Sequence, residues 1–357
     1  MTRFFSKRYS DIVPYVPGEQ PKKQTYIKLN TNESPFPPSP NAIRMASEAA
    51  RNLRLYSDPE CTALKDAAAR VFGVDNSCLL PTNGSDEILY FAFLAFCDEY
   101  RPARFPDITY GFYPVFAKTA CVPAEIIPLK EDFTIDPADY AVKGRTVFIA
   151  NPNAPTGIAL TRDAVEALVK ENPETLYVID EAYVDFGGES CIPLTQKYDN
   201  ILVTMTFSKS RSLAGGRLGF GIACPSLIDA LRAIKDSVNP YNVNAMTMAA
   251  GIGSLTDEAY TKENCQKIIA SRARLTNGMR ALGFTVTDSL ANFVFAKHPC
   301  ISGEDVFLSL RQKGFLVRHF KTERIKDFNR ITVGTAEDTE LLLAALTDIV
   351  NNKEKEQ

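Results

Sequence analysis

The chain has 357 residues, 45% of them apolar, and a formal net charge of −3. That length suits one large domain with a smaller one around a sizeable core, and the near-neutral charge, with neither a basic patch nor an acidic tail, argues against a nucleic-acid partner. Only two histidines, His298 and His319, are present, which argues against a histidine-rich metal site and a Ser-His-Asp hydrolase, so no metal is expected.

Met1–Ser10 is polar and mixed, with no signal-peptide core. Prolines from Pro14 through Pro21 to Pro40 mark an extended arm. Leu64, Ala67, Ala68, Val71 and Phe72 then recur at helical spacing, and Gly73 is placed to end that helix. A short apolar run, Cys78–Leu80, leads to the turn Pro81-Thr82-Asn83-Gly84. Ser85 and Asp86 open a helix that is apolar nearly all round and hence buried on most sides. Its stretch Ile88–Cys97 is the longest apolar run and far too short to cross a membrane.

Strand-like runs follow at Thr146–Ala150, Leu176–Ile179, Ile201–Met205 and Gly219–Cys224. Continuous apolar strands alternating with helices predict an α/β fold with a mostly parallel sheet covered by helices on both faces. A long charged helix is expected over Asp257–Leu282. Beyond it the pattern becomes α+β, with strands at Phe284–Thr287, Asn292–Ala296, Phe315–Val317 and Arg330–Val333 and helices at Asp305–Lys313 and Glu337–Asn351. The predicted organisation is an arm over 1–45 joining the small domain, a large domain over 46–256 and a small C-terminal domain over 257–357. The cysteines are scattered without a CxxC pair, as small core residues in a reducing cytosol would be, so a cytoplasmic location is expected.

In an open α/β sheet, ligands bind beyond the carboxyl ends of the strands. Here Thr146–Ala150 runs into Asn151-Pro152-Asn153-Ala154-Pro155-Thr156-Gly157. Leu176–Ile179 runs into Asp180-Glu181-Ala182-Tyr183, and Ile201–Met205 into Thr206-Phe207-Ser208-Lys209. Each residue alone reads blandly, as a surface lysine, a turn aspartate or a packing tyrosine. Together they make one chemical set. A lysine amine forms a Schiff base with an aldehyde, and an acidic residue holds a protonated pyridine nitrogen, the pairing that pyridoxal phosphate requires. Tyr183 could hydrogen-bond the ring oxygen. The start of the Ser85 helix offers backbone N–H groups to a phosphate, and Ser208 and Arg217 add a hydroxyl and a guanidinium. Tyr110 is the candidate stacking face.

The segment Thr206-Phe207-Ser208-Lys209-Ser210-Arg211-Ser212-Leu213-Ala214-Gly215 resembles the cofactor-lysine signature of class II aminotransferases. Asp180-Glu181-Ala182-Tyr183 and Asn153-Ala154-Pro155-Thr156-Gly157 resemble the family's other two landmarks. Within the family the chain looks most like the histidinol-phosphate branch. That likeness runs from Asp11-Ile12-Val13-Pro14-Tyr15 through Leu29-Asn30-Thr31-Asn32-Glu33-Ser34-Pro35 to Arg330-Ile331-Thr332-Val333-Gly334-Thr335. The resemblance implies fold-type I, with a mixed, mostly parallel seven-stranded sheet and a smaller α+β domain. It also implies pyridoxal 5'-phosphate as cofactor and exchange of an amino group between a small-molecule donor, histidinol phosphate, and an oxo-acid acceptor, 2-oxoglutarate, in histidine biosynthesis. Lys209 would carry the cofactor, Asp180 would pair with its ring nitrogen and Tyr183 with its ring oxygen. Gly84, Ser85, Asp86, Ser208 and Arg217 would hold the phosphate, and Tyr110 would stack on the ring. Tyr56 would reach the cofactor phosphate of a neighbouring subunit, making a homodimer. Arg330, Arg318, Tyr15 and Asn32 would contact the substrate.

Two positions depart from the family pattern. The asparagine that usually precedes Pro-Thr-Gly is Ala154, so either Asn153 swings in or Tyr183 carries the ring-oxygen contact with a water. The residue before Arg217 is Gly216, where a larger apolar one is common. Other activities on this fold are threonine-phosphate decarboxylation and aromatic-amino-acid transamination. A non-catalytic cofactor-sensing regulator would need a DNA-binding segment ahead of the first motif, where only a short proline-rich arm stands.

Overall fold

The computed structural model describes residues 2–20 and 26–356, with side chains described as far as residue 353. Pro21 of the expected arm lies outside the described residues. The strands in chain order are β1 (Ile27–Lys28), β2 (Leu79–Thr82), β3 (Ala103–Pro106), β4 (Ala124–Ile127), β5 (Thr146–Ala150), β6 (Leu176–Asp180), β7 (Ile201–Thr206), β8 (Gly219–Ala223), β9 (Thr285–Val286), β10 (Phe293–Lys297), β11 (Phe315–Leu316), β12 (Arg318–His319) and β13 (Asn329–Thr332).

β2 to β8 form a seven-stranded sheet in the order β2-β8-β7-β6-β5-β3-β4. Its pairs are parallel except those of β8, which runs antiparallel to both β2 and β7. β5, β6, β7 and β8 are buried at every residue, as continuous apolar strands must be when both faces are covered. Alternate residues serve opposite faces. Val147, Ile149 and Ile179 pack with Leu64 and Ala68 of the helix Thr62–Phe72 and with Val165 of the helix Arg162–Glu171. Phe148, Val178 and Leu202 pack with Ile88 and Leu89 of the helix Ser85–Phe96 and with Leu231 of the helix Pro225–Val238.

The four expected sheet strands are present within a residue at each end, and the Thr62–Phe72 helix ends at Gly73 with φ +68°, as expected. β3 and β4 have no expected counterpart. Arg104 and Pro106 interrupt the apolar pattern of β3, and edge strand β4 alternates exposed and half-buried residues.

The C-terminal part holds a second sheet, β12-β13-β10-β9. Phe315–Val317 holds a strand, as expected, over Phe315–Leu316. Its β11 pairs in parallel with β1 of the arm and not with the four-stranded sheet. Leu29 continues that junction: its N–H donates to the Leu316 carbonyl at 2.8 Å and its carbonyl accepts from the Thr332 N–H at 2.9 Å. The arm also touches the large sheet's layer, with Tyr15 stacked on Phe112 at 4.1 Å and Lys118 paired with Asp11 at 2.6 Å. A helix over Pro40–Ala49 begins inside the expected arm and packs on the helix Ala245–Thr256. A Cβ on Gly253 would lie 2.7 Å from the Cα of Ala42, so only glycine permits that approach. Among the described residues no helix is long and apolar enough to cross a membrane.

Candidate active site

The register of the sheet aligns Ala150 with Asp180 and Asp180 with Thr204, so β5, β6 and β7 end level with one another. Beyond their carboxyl ends lies a cavity of about 260 Å³, where ligands bind in this architecture. Of the residues singled out from the sequence, Ser85, Asp86, Tyr110, Asp180, Tyr183, Ser208, Lys209 and Arg217 all line it.

Asp180 closes one end and is only 4% exposed. Thr204 donates its hydroxyl to one carboxylate oxygen at 3.1 Å, and Tyr113 donates to the other at 3.2 Å. Burial pushes the carboxyl up to about 6, against the lowering effect of those two donors. The group is therefore mostly ionised at neutral pH, and a cationic ring nitrogen beside it would hold it more firmly so. Thr204 and Tyr113 were not legible as site residues, although Tyr113 follows Tyr110 by one helical turn.

Lys209 lies on the loop after β7. Its ammonium donates to the Thr31 carbonyl at 3.1 Å and sits 5.8 Å from the centre of the Tyr183 ring. Burial pulls the amine down from 10.5 to about 8; Arg330 lowers it further, and Glu33 and Asp86 oppose the shift. Tyr183 is packed edge-on against Phe293 at 5.1 Å. Glu33 and Thr31 also line the cavity, with Lys28 bonded to both side chains. They lie in the same Leu29–Pro35 motif that singled out Asn32.

The opposite end suits an anion. The helix Ser85–Phe96 starts at Gly84, where φ is +80° and no side chain caps the helix, so its first N–H groups are open. A Cβ on Gly84 would stand 2.4 Å from a terminal nitrogen of Arg217. Glycine is thus what lets the guanidinium approach the helix start. Arg217 donates to the Ser208 hydroxyl at 3.3 Å. The Asp86 carboxylate stands beside this cradle, paired with Arg217. It accepts from the Tyr110 hydroxyl at 2.5 Å and from Arg217 at 3.2 Å, so only its backbone N–H can serve an anion while its side chain positions the other two.

Asn153 and Asn32 are both held by protein partners. Asn153 does not swing into the space left by Ala154. Its amide donates to the Ile108 carbonyl at 2.9 Å and to Thr156 at 3.0 Å, and its oxygen accepts from Thr109 at 2.8 Å. Ala154 lines the cavity in its stead. Asn32 is likewise occupied by protein partners, Tyr183 and Thr332, each at 3.0 Å.

Arg330, Arg318, Tyr15 and Tyr56 are not among the residues that line the cavity. Arg330 donates from one terminal nitrogen to the Asn30 carbonyl at 3.1 Å, and its Nε is buried without a partner. Arg318 donates to the Val16 carbonyl at 3.3 Å, which ties it to the arm beside Tyr15. Tyr56 is 85% exposed, stacked on Tyr241 at 4.6 Å, and does not line its own chain's cavity. Gly216 packs on Leu213, and its carbonyl accepts from the Thr247 hydroxyl at 2.6 Å. Among the described residues no group of His, Cys, Asp and Glu side chains could hold a metal ion.

The set fits pyridoxal phosphate. An anion cradle and a buried carboxylate occupy opposite ends, and an amine of lowered proton affinity lies between them. The family model for aminotransferase class I and II matches residues 24–346. A histidinol-phosphate aminotransferase 1 of Bradyrhizobium diazoefficiens is 50% identical over 350 residues, covering 98% of this chain and 100% of that protein. One of Bordetella parapertussis is 47% identical over 356 residues, covering 99% and 100%. The crystal structure of histidinol-phosphate aminotransferase from Sinorhizobium meliloti in complex with pyridoxal-5'-phosphate superposes with a TM-score of 0.85 at 25% identity, covering 99% of each chain. The chain belongs to the class I and II aminotransferases, which work with pyridoxal phosphate.

Proposed function

We propose that this enzyme transfers the amino group of histidinol phosphate to 2-oxoglutarate. The observation that carries the chemistry is the convergence of Lys209, Asp180, Tyr183 and the Gly84–Ser208–Arg217 cradle on one cavity. The choice of donor is supported by likeness over nearly the whole chain to proteins of that activity. The cofactor, when bound, would supply an aldehyde and a protonated ring able to take up an electron pair.

The protein's own groups do the rest. The Lys209 amine would be the general base that takes the proton from the carbon next to the substrate nitrogen and later returns one. Burial suits it to that work, since an amine near 8 is neutral far more often than one at 10.5. Asp180 keeps the ring nitrogen protonated. Tyr183 donates to the ring oxygen, and the open helix start with Ser208 and Arg217 binds the phosphate. The active unit is a dimer, in which the exposed Tyr56 reaches the cradle of a second copy.

Two predictions arise here. Capture of pyridoxal phosphate by the apoprotein should speed up as pH rises and level off above about 8, where the Lys209 amine has lost its proton. A midpoint near 10.5, measured by stopped-flow absorbance, would contradict the environment described for Lys209. Arg330→Lys should raise KM about tenfold for both histidinol phosphate and 2-oxoglutarate, because a point charge replaces a planar fork that pairs with phosphate and carboxylate alike. Unchanged constants for both would remove Arg330 from the anion site.

The assignment itself is tested by initial rates with 2-oxoglutarate and, in turn, histidinol phosphate, phenylalanine and threonine phosphate. The reading expects kcat/KM to be highest for histidinol phosphate. Preference for phenylalanine, or release of carbon dioxide from threonine phosphate, would replace it.

A further inference from the structure

We infer that Asn32 is a positioning residue that aims the hydroxyl proton of Tyr183 into the cavity, supporting the one ring-oxygen donor that remains where the chain has Ala154. The inference rests on the reading that the cavity holds pyridoxal phosphate joined to Lys209.

A tyrosine hydroxyl has one proton and can also accept. In a buried site, which way that proton points depends on the neighbours. Asn32 Nδ2 lies 3.0 Å from the Tyr183 oxygen and can only donate. The Tyr183 oxygen therefore accepts on that side, and its own proton is left for the cavity. The amide's orientation is fixed by a ring of bonds. Thr332 accepts the Asn32 backbone N–H at 2.9 Å and donates its hydroxyl to Asn32 Oδ1 at 3.0 Å. Asn292 donates to the Asn32 carbonyl at 3.0 Å. Asn32 is 1% exposed, with φ at +57°. That conformation is uncommon outside glycine, tolerated by asparagine, and persists only where the surroundings over-determine it.

The need for such support is local to this chain. Ala154 presents a methyl group to the cavity, and the Asn153 amide is fully bonded elsewhere. Tyr183 is left to serve the ring oxygen without the amide that the family usually adds there. Its aim then matters more, and Asn32 sets it.

The test is a pH titration of the visible band of the holoenzyme, which reports the proton on the nitrogen joining Lys209 to the cofactor. A donor on the neighbouring ring oxygen draws off negative charge that would otherwise hold this proton, so losing the donor raises the midpoint. Asn32→Gly accepts the positive φ and removes the amide; its midpoint should rise by about one pH unit. Tyr183→Phe should raise it at least as far, and the double variant no further than Tyr183→Phe alone. Asn32→Asp keeps the bond from Thr332 but offers Tyr183 an acceptor, so it should behave like Tyr183→Phe even if Asn32→Gly folds poorly. An unmoved midpoint in both Asn32 variants, or a shift that persists in full on the Tyr183→Phe background, overturns the inference. The functional reading fails separately, if the band titrates as stated but does not respond to histidinol phosphate. An apoprotein that forms no visible band overturns both.

Discussion

Lys209→Ala is expected to lower turnover by about 10⁴-fold or more, the largest effect of any single replacement. General base catalysis by a positioned side chain is worth up to about 10⁴-fold, and here the same nitrogen also anchors the cofactor. The fold should not suffer. The Lys209 amine makes one hydrogen bond, to the Thr31 carbonyl, and burial works against its charged form. The variant should therefore melt at or above the parent's temperature. Lys209→Arg, which keeps a charge but offers no amine to an aldehyde, should be as inactive. Full transamination by the alanine variant would remove Lys209 from the centre of the account.

Asp180→Asn should lower kcat by about 10²–10³-fold, as losing one preorganised electrostatic contact does in a buried site. The reason is a mismatch as well as a lost charge. Thr204 and Tyr113 both donate to Asp180, so a carboxylate satisfies both while an amide turns an N–H toward one of them. Asp180→Glu should recover part of the rate. Its charge survives, although the longer side chain displaces it from Thr204 and Tyr113. Equal rates for the asparagine variant and the parent would mean that the ring nitrogen needs no anionic partner here.

The polar ends of β5, β6 and β7 were legible because each follows a continuous apolar run. A register that levels those ends is what a parallel sheet does with them. Lys209, Asp180 and Tyr183 can thus be placed at one edge from the sequence alone. Partners distant in sequence could not. Tyr113 is recognisable as part of the site only once Asp180 lies 3.2 Å from its hydroxyl, across 67 positions of chain. Asn32 shows the same limit from the other side. Its role depends on Tyr183 and Thr332, which lie 151 and 300 positions away in the chain. Which way the Asn153 amide turns is not legible either, because residue type says nothing about it. β4 is not legible because an edge strand does not need an unbroken apolar run, and β3 because Arg104 and Pro106 break its run.

The most direct measurement is the visible absorbance of the cofactor-loaded enzyme as histidinol phosphate is added first and 2-oxoglutarate second. The band should be lost on the first addition and restored on the second, with glutamate formed in equal amount. A band present at the start and unmoved by histidinol phosphate would contradict it.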